Sequence, residues 1–232
     1  MIINDYSEYS GISVEEILLK CSNFKDLNKE NFNNFQSTHD FYKSSDTYIF
    51  DLFNANLTLD ILRSKINLFS PGLMDEISQK PSGVKFLEFG GGLGVFCELV
   101  KSINPNIEVT YCDIKTKISD FTLWRFEKYK SDIKTLIIPQ GDFSFEEKYD
   151  MIFSDAVIEH LPQSQQEIYV RKLSSYLNKN GSLYLIIDLE GENPDMPMHF
   201  NVDIIKLHSI LEFENMTCVY GKNNFSSRWV KN

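Results

Sequence analysis

The sequence has few arginines and no cluster of basic residues. Its 232 residues include 23 Lys and Arg against 33 Asp and Glu, which gives a formal net charge of −10 at pH 7. The arginines are Arg63, Arg125, Arg171 and Arg228. Affinity for nucleic acids depends mainly on the neutralisation of phosphates, which requires a basic stripe or patch. The composition therefore argues against DNA or RNA as a partner and favours a small-molecule substrate.

The sequence also lacks long hydrophobic runs and paired cysteines. Residues 1–10 carry Asp5 and Glu8 and contain no apolar stretch of signal-peptide length, and no run approaches a membrane span. None of the four cysteines has a partner at metal-ligand spacing. Cys97 and Cys112 fall on a predicted helix and strand, where we expect small buried thiols instead of disulfides. These absences predict a cytoplasmic protein that does not contact membranes.

What the sequence does contain is a glycine-rich segment between an apolar run and an amphipathic one. The apolar run ends in Glu88, glycines follow at positions 90, 91, 92 and 94, and residues 95–103 have helical periodicity. Glycine is needed where the backbone turns sharply or lies directly against a ligand. We therefore expect a strand, a tight ligand-binding loop and the start of a helix.

The spacing of these glycines differs from that of a dinucleotide-binding loop. Such loops need Gly-x-Gly-x-x-Gly, but a count from Gly90 gives Gly92 and then Val95. The third glycine, which lets the helix pack on the sheet, is missing. This spacing therefore argues against a nicotinamide-dependent Rossmann oxidoreductase, which is kept only as an alternative.

Acidic residues lie at the C-terminal ends of several of the predicted strands. Asp113 follows the run 107–112, Asp155 ends the run 149–155, and a fifth strand is predicted at 183–188. Strands that alternate with helices predict a parallel sheet with helices on both faces and ligands at the carboxyl ends of the strands. An acid at position 113, roughly 20 residues past the glycines, is then placed to accept hydrogen bonds from both ribose hydroxyls.

The remaining periodic segments complete the expected fold. Ile168, Leu173 and Leu177 predict one face of a helix that ends at Gly181, and residues 202–211 predict another. Two further strands are predicted at 216–220 and 225–230.

The pattern Glu-x-Gly-x-Gly-x-Gly of residues 88–94 resembles motif I of class I S-adenosylmethionine-dependent methyltransferases, and residues 149–162 resemble their motif IV. The resemblance extends over about residues 84–190. It implies an α/β fold with a Rossmann-like seven-stranded sheet, mostly parallel, with an antiparallel C-terminal strand and helices on both faces. It also implies a methyltransferase domain at residues 83–232 behind an N-terminal helical extension, residues 1–82, that closes over cofactor and substrate.

The same resemblance implies S-adenosylmethionine as the cofactor. In this family an acid at the place of Asp142 commonly bonds the adenine amino group, with an apolar neighbour such as Phe143 against the ring. The positions expected to bind the cofactor are Glu88, Gly90, Gly91, Gly92, Gly94, Asp113, Ile114, Asp142, Phe143, Ser154 and Asp155. Tyr42, Tyr48 and Glu159 are expected at the substrate, although packing on the sheet would equally explain the two tyrosines.

The chemistry depends on the group that deprotonates the methyl acceptor. Methyl transfer requires in-line alignment and, for a hydroxyl acceptor, usually a base. His160 follows the fourth strand and His199 follows the fifth, so both are candidate bases. Burial would lower the pKa of His160 and the neighbouring Glu159 would raise it. Some relatives bind a divalent ion through a Glu-x-x-Glu-His cluster, but Ala156 stands at its first position, and we expect no metal.

The sequence thus predicts O-methylation of a hydroxyl on a small soluble molecule, with a sugar or sugar nucleotide of surface-polysaccharide biosynthesis as the first candidate. A carboxyl, an amine or a quinone-like phenol remains open as the acceptor. A non-catalytic binding protein of methyltransferase type is a further alternative, and a homodimer is also left open.

Overall fold

The computed structural model describes residues 2–35, 37–55, 59–139, 141, 143–188 and 198–232. Within these residues, seven helices precede the first strand. They are α1 (Ile2–Ser10), α2 (Val14–Ser22), α3 (Phe24–Phe32), α4 (Thr38–Ser44), α5 (Tyr48–Ala55), α6 (Leu59–Phe69) and α7 (Leu73–Gln79). Ser13 and Ser37 begin α2 and α4 as N-caps, because each hydroxyl accepts a hydrogen bond from a backbone N–H in the first turn.

A seven-stranded sheet forms the centre of the molecule. Its strands are β1 (Lys85–Phe89), β2 (Glu108–Ile114), β3 (Lys134–Ile138), β4 (Tyr149–Asp155), β5 (Leu177–Ile186), β6 (Met216–Tyr220) and β7 (Ser226–Lys231). The order across the sheet is β3-β2-β1-β4-β5-β7-β6, in which β1 to β5 are parallel and β7 is antiparallel to both β5 and β6. The mostly parallel, Rossmann-like sheet expected from the sequence is confirmed.

Helices cover both faces of this sheet. They are α8 (Val95–Ile103), α9 (Lys117–Lys128), α10 (Gln163–Ser175) and α11 (Ile204–Phe213). Alternate strand residues divide between two buried clusters: Leu87 and Ile152 pack on one face, whereas Phe86 and Phe153 pack on the other. A third buried cluster joins the N-terminal helices to α9 and to Leu93. In the described part of the chain, no helix is both long and apolar enough to cross a lipid bilayer.

The expected end of α10 was wrong. The helix stops at Ser175, and Leu177 begins β5 by pairing with Tyr149 of β4. The turn expected to contain Gly181 lies inside this strand, where Asn180 adopts a left-handed φ of 62° and the register with β4 shifts. Ile168 is largely exposed, not buried. Pairing with β4 therefore overrides the helical periodicity of the sequence.

Gly94, the N-cap of α8, is expected to be essential for stability. Its φ is +67°, and a Cβ there would lie 2.6 Å from Phe126 and 2.7 Å from Thr122. Gly94→Ala should lower the free energy of unfolding by about 2–4 kcal/mol, because a left-handed alanine and an overpacked contact each cost about 1–3 kcal/mol. Urea denaturation measures this loss. The matched control is Gly11→Ala, which has a φ of +75° but no atom within 4 Å of the new Cβ. Equal losses in the two variants would contradict the packing argument.

Candidate active site

A cavity of about 340 Å³ lies over the carboxyl ends of the central strands. The strand order places the ends of β2, β1, β4 and β5 side by side. The N-terminal helices supply another wall, to which α4 contributes Tyr42, α5 contributes Asp51 and α6 contributes Lys65. The cavity is therefore bounded by the sheet edge and by the N-terminal helices.

The glycine loop, residues 90–94, is hydrogen-bonded to β2. The N–H groups of Gly90 and Gly91 both donate to the carbonyl of Cys112, at 2.8 and 3.1 Å. Gly90 has a φ of +75°, and a Cβ there would lie 2.2 Å from Val157 Cγ2. Only glycine allows this close approach of the loop to the segment that follows β4.

Asp113 connects this loop to the end of β2. Its Oδ2 accepts a hydrogen bond from the Gly92 N–H at 2.7 Å, and its Oδ1 accepts one from the Ile114 N–H at 2.7 Å. Burial raises the pKa of Asp113 to about 6, although these hydrogen bonds act in the opposite direction. Because a carboxylate has about four acceptor positions, Asp113 can still accept bonds from hydroxyl groups in the cavity.

Glu88 is a buried carboxyl at the floor of the cavity. Its Oε2 accepts a hydrogen bond from the Cys97 N–H at 3.0 Å. Burial raises the pKa of Glu88 to about 8 in spite of the Cys97 contacts, and the negative charges of Asp155 and Asp113 contribute to the rise. At neutral pH the carboxyl is largely protonated, and a cation beside it would favour the carboxylate.

Several of the predicted cofactor residues lie behind the cavity wall. Phe143 packs in the core, with its ring centroid 5.1 Å from that of Phe89 and 5.0 Å from that of Tyr169. Gly94 lies against Thr122 and Phe126, and Ser154 is buried. Asp142 falls outside the described residues. The predicted positions that line the cavity are Glu88, Gly90, Gly91, Gly92, Asp113, Ile114 and Asp155.

Both histidines and both tyrosines predicted at the site lie together at the β4–β5 side of the cavity. The Tyr42 hydroxyl contacts Nδ1 of His160 at hydrogen-bonding distance. The His160 ring centroid lies 4.7 Å from that of His199 and 4.7 Å from that of Tyr42, and Tyr48 stands 4.7 Å from Tyr42. The structure thus brings residues of α4 and α5 against residues that follow β4 and β5.

The imidazole of His160 is neutral at physiological pH. Burial lowers its pKa to about 3, and the neighbouring His199 lowers it further, whereas the backbone carbonyls of Met198 and Ala156 act in the opposite direction. Glu159 does not offset this shift, because burial raises its own pKa to about 8. The Oε1 of Glu159 accepts a hydrogen bond from the Asp188 N–H at 2.8 Å and so stabilises the segment that follows β5. Glu159, which was expected at the substrate, lies behind the cavity wall and does not line the cavity.

Three cavity residues with charged side chains, Lys65, Asp51 and Asp188, were not predicted from the sequence. Lys65 Nζ lies 2.7 Å from Asp155 Oδ2, and Asp51 and Asp188 complete this polar group. Burial raises the pKa of Asp51 to about 6, against the nearby positive charges of Lys25 and Lys65.

Signals for two of these residues were present in the sequence. Lys65 is a charged residue beside Leu62 and Ile66 on an otherwise apolar helix face. Asp188 is an acid at the C-terminal end of the fifth strand, as Asp113 is at the end of the second. In the described part of the chain, no group of three or more His, Cys, Asp or Glu side chains has an arrangement that could hold a metal ion.

Residues 87–183 match the family model described as a methyltransferase domain. This segment contains the glycine loop, Asp113, Asp155 and His160. No curated protein sequence matches the chain.

Solved structures with the same fold include several methyltransferases. An O-methyltransferase family protein from Burkholderia thailandensis superposes with a TM-score of 0.59 at 9% identity, covering 91% of this chain and 70% of that one. The magnesium protoporphyrin IX methyltransferase of Synechocystis, solved with S-adenosylhomocysteine, gives 0.58 at 11% identity and covers 83% and 97%. The N-methyltransferase NodS of Bradyrhizobium japonicum, solved with the same ligand, gives 0.56 at 18% and covers 86% and 98%. At these identities the likeness shows the fold.

Binding of S-adenosylmethionine at pH 7.5 is expected to release a fraction of a proton from Glu88. The pKa of about 8 keeps this carboxyl mostly protonated in the ligand-free protein, whereas a bound cation favours the carboxylate. Calorimetric titration in buffers of different ionisation enthalpy measures the release.

The amino group of the cofactor also titrates at about pH 8, so the ligand itself contributes to the measured proton exchange. The control is therefore Glu88→Gln, in which only the contribution of Glu88 is removed. The difference between the wild-type protein and this variant isolates Glu88. Glu159→Gln, which changes a carboxyl behind the wall, should retain the release. Identical proton release in wild type and Glu88→Gln would show that Glu88 does not sense the cofactor.

Proposed function

We propose that the chain is a class I S-adenosylmethionine-dependent methyltransferase that methylates a hydroxyl group of a small polar acceptor of the sugar class. The hydrogen-bonded pair of Tyr42 and neutral His160 carries this proposal. A hydroxyl must lose a proton during methyl transfer, and a neutral imidazole linked to a phenol can accept it.

The residues around the glycine loop fit the cofactor. Gly90 and Gly92 line the cavity with backbone alone, Asp113 can receive the ribose hydroxyls, and the carboxyls of Glu88 and Asp155 suit the positive groups of the cofactor. When bound, S-adenosylmethionine supplies an electrophilic methyl group on a sulfonium, which is a good leaving group. The protein has to exclude water, align the acceptor and hold its proton.

The other half of the cavity is suited to hydroxyl groups. Asp51 and Asp188 provide acceptors, Lys65 provides a donor, and the aromatic hydroxyls of Tyr42 and Tyr48 can do either. A diphosphate would need several converging cations. Among the described residues that line the cavity, Lys65 is the sole lysine or arginine, and it already pairs with Asp155. An unphosphorylated sugar therefore fits better than a nucleotide-linked one.

The proposed proton path runs from the acceptor to His160. In the tautomer with its proton on Nε2, Nδ1 of His160 accepts a hydrogen bond from the Tyr42 hydroxyl. During methyl transfer the acceptor proton would pass to the Tyr42 oxygen and the phenol proton would pass to Nδ1. The imidazole would gain a positive charge as the bound cofactor gave up its own, so the net charge of the buried site would stay constant. This conservation offsets the low pKa of His160.

An amine acceptor is the second candidate. The carboxyls of Asp51 and Asp188 would also attract an ammonium group. This ammonium would first have to lose a proton, after which the free amine would attack through its own lone pair, so the Tyr42–His160 pair would matter less for the transfer step.

The acceptor class is tested with labelled cofactor and a panel of sugars, sugar nucleotides, amines, carboxylates and phenols. We expect base-stable label in the free sugars, as methyl ethers, and little in the sugar nucleotides. Base-labile label would indicate methyl esters. Methylation confined to amines, carboxylates or lipophilic phenols would overturn the proposal.

Tyr42→Phe and His160→Ala are expected to lower turnover by a similar factor, about 10²–10⁴. Because the two residues act as one unit, the double variant should be no slower than the slower single variant, within about threefold. Affinity for S-adenosylmethionine should change little, as judged by calorimetric titration.

The control for this pair is Tyr9→Phe, which removes a hydroxyl from a ring that packs on Phe121 and Trp124 away from the cavity. Its turnover should match that of the wild type. Multiplicative losses in the double variant would show that Tyr42 and His160 act separately, and a large loss in His199→Ala alone would assign the base to His199.

A further inference from the structure

The middle of the glycine loop is held by α9 as well as by β2. The carbonyl of Gly92 accepts hydrogen bonds from the Tyr111 hydroxyl at 2.9 Å and from the Thr122 hydroxyl at 2.8 Å. The next carbonyl, that of Leu93, accepts one from Nη1 of Arg125 at 2.7 Å. Since side chains fix both carbonyls, the peptide planes of the loop have little freedom.

Arg125 connects this loop to two helices. It is 4% exposed, its Nη2 lies 2.5 Å from Glu98 Oε2 in α8, and its Nε lies 3.5 Å from Asp5 Oδ2 in α1. Nη2 is hydrogen-bonded to Glu98, whereas Nε makes no hydrogen bond and Asp5 attracts the guanidinium through its charge. Because a guanidinium is planar and its donors have fixed directions, a turn toward either carboxylate changes where Nη1 points. The position of α1 is thereby coupled to the carbonyl of Leu93.

Asp5 is the charged group through which α1 is attached to α9. It is buried, lies 3.0 Å from Lys128 Nζ, and accepts a hydrogen bond from the Tyr129 hydroxyl. Burial acts to raise its pKa, but the hydrogen bonds from Tyr129 and Lys128 and the neighbouring cations prevail and lower it. Asp5 is thus ionised at neutral pH and available to orient Arg125.

The Leu93 side chain gives a second, independent connection between α1 and the loop. Leu93 is 2% exposed and belongs to the third buried cluster, most of which comes from the N-terminal helices. Its partners in that cluster include Ile2, Ile3, Ile17, Phe50, Phe53 and Phe121. The loop residue is therefore fixed at its carbonyl by a buried cation and at its side chain by apolar packing.

We propose that α1 is a positioning element of the cofactor site, in which Asp5, acting through Arg125, holds the glycine loop in the shape that accepts the methionine part of S-adenosylmethionine. Removing the Asp5 charge frees Arg125 to turn toward Glu98 and releases the Leu93 carbonyl, so the loop samples shapes that bind the ligand less well. The inference rests on the assigned cofactor site and is independent of the acceptor.

The test compares Asp5→Asn with Glu8→Gln by calorimetric titration. Glu8 lies on the same helix and pairs with Lys128 at 2.7 Å, but its side chain is 60% exposed. Asp5→Asn should weaken binding of S-adenosylmethionine and S-adenosylhomocysteine about three- to tenfold, the size expected for indirect coupling. Glu8→Gln should change it by less than about twofold. Both variants are measured where urea denaturation shows them to be fully folded.

5′-Methylthioadenosine separates loop positioning from general damage to the site. It lacks the amino-acid part of the cofactor, so its dissociation constant should be unchanged in Asp5→Asn. Arg125→Lys should weaken S-adenosylmethionine binding at least as much as Asp5→Asn, and adding Asp5→Asn to it should cost less than about twofold more. Should Arg125→Lys fail to fold, the comparison of Asp5→Asn with Glu8→Gln decides alone.

Three outcomes would overturn the inference. The first is an equal effect of Asp5→Asn and Glu8→Gln, and the second is an equal loss of affinity for S-adenosylmethionine and 5′-methylthioadenosine. The third is a full additional loss when Asp5→Asn is combined with Arg125→Lys. None of them depends on methyl transfer, so failure of the proposed acceptor class leaves this test unaffected.

Discussion

The fixed backbone of the glycine loop is the constraint on which the rest of the site depends. Gly90 can approach Val157 only because it has no side chain, so the loop after β1 lies directly against the segment after β4 at the cavity. The next residues are held by Asp113 on one side and by α9 on the other. The proposed cofactor and acceptor halves of the cavity therefore share one rigid boundary.

The electrostatics of the cavity favour a cationic ligand over the empty site. Glu88 has a pKa of about 8, and Asp51 and Asp113 have values of about 6, each raised mainly by burial. Such groups add stability that is complete below their unfolded pKa values, near 4, and is lost as the pH rises through about 6 and then 8. A sulfonium bound near them would offset this loss, so the proposed cofactor would relieve the strain of burying these carboxyls.

The sequence predicted the sheet and the strand-end acids because both follow from local patterns. It placed Asp113, Asp155 and His160 at carboxyl ends of parallel strands, and all three line the cavity. Phe143 follows a strand end as well, yet its ring packs in the core, because chain position alone does not fix which way a side chain points. The low pKa of His160 could not be predicted either, because it depends on the burial of His160 and on the nearby His199, both of which are consequences of tertiary packing.

The N-terminal helices have two functions that constrain each other. Helices α4, α5 and α6 contribute Tyr42, Asp51 and Lys65 to the cavity, whereas α1 contacts α9 through Asp5. Helix α5 also belongs, with α1 and α2, to the third buried cluster, which contains Leu93 of the loop. Protein cores transmit small shifts because they are close-packed. A change on α5 that adapts the cavity to another acceptor must therefore preserve the packing around Leu93, or it will weaken cofactor binding along with acceptor choice.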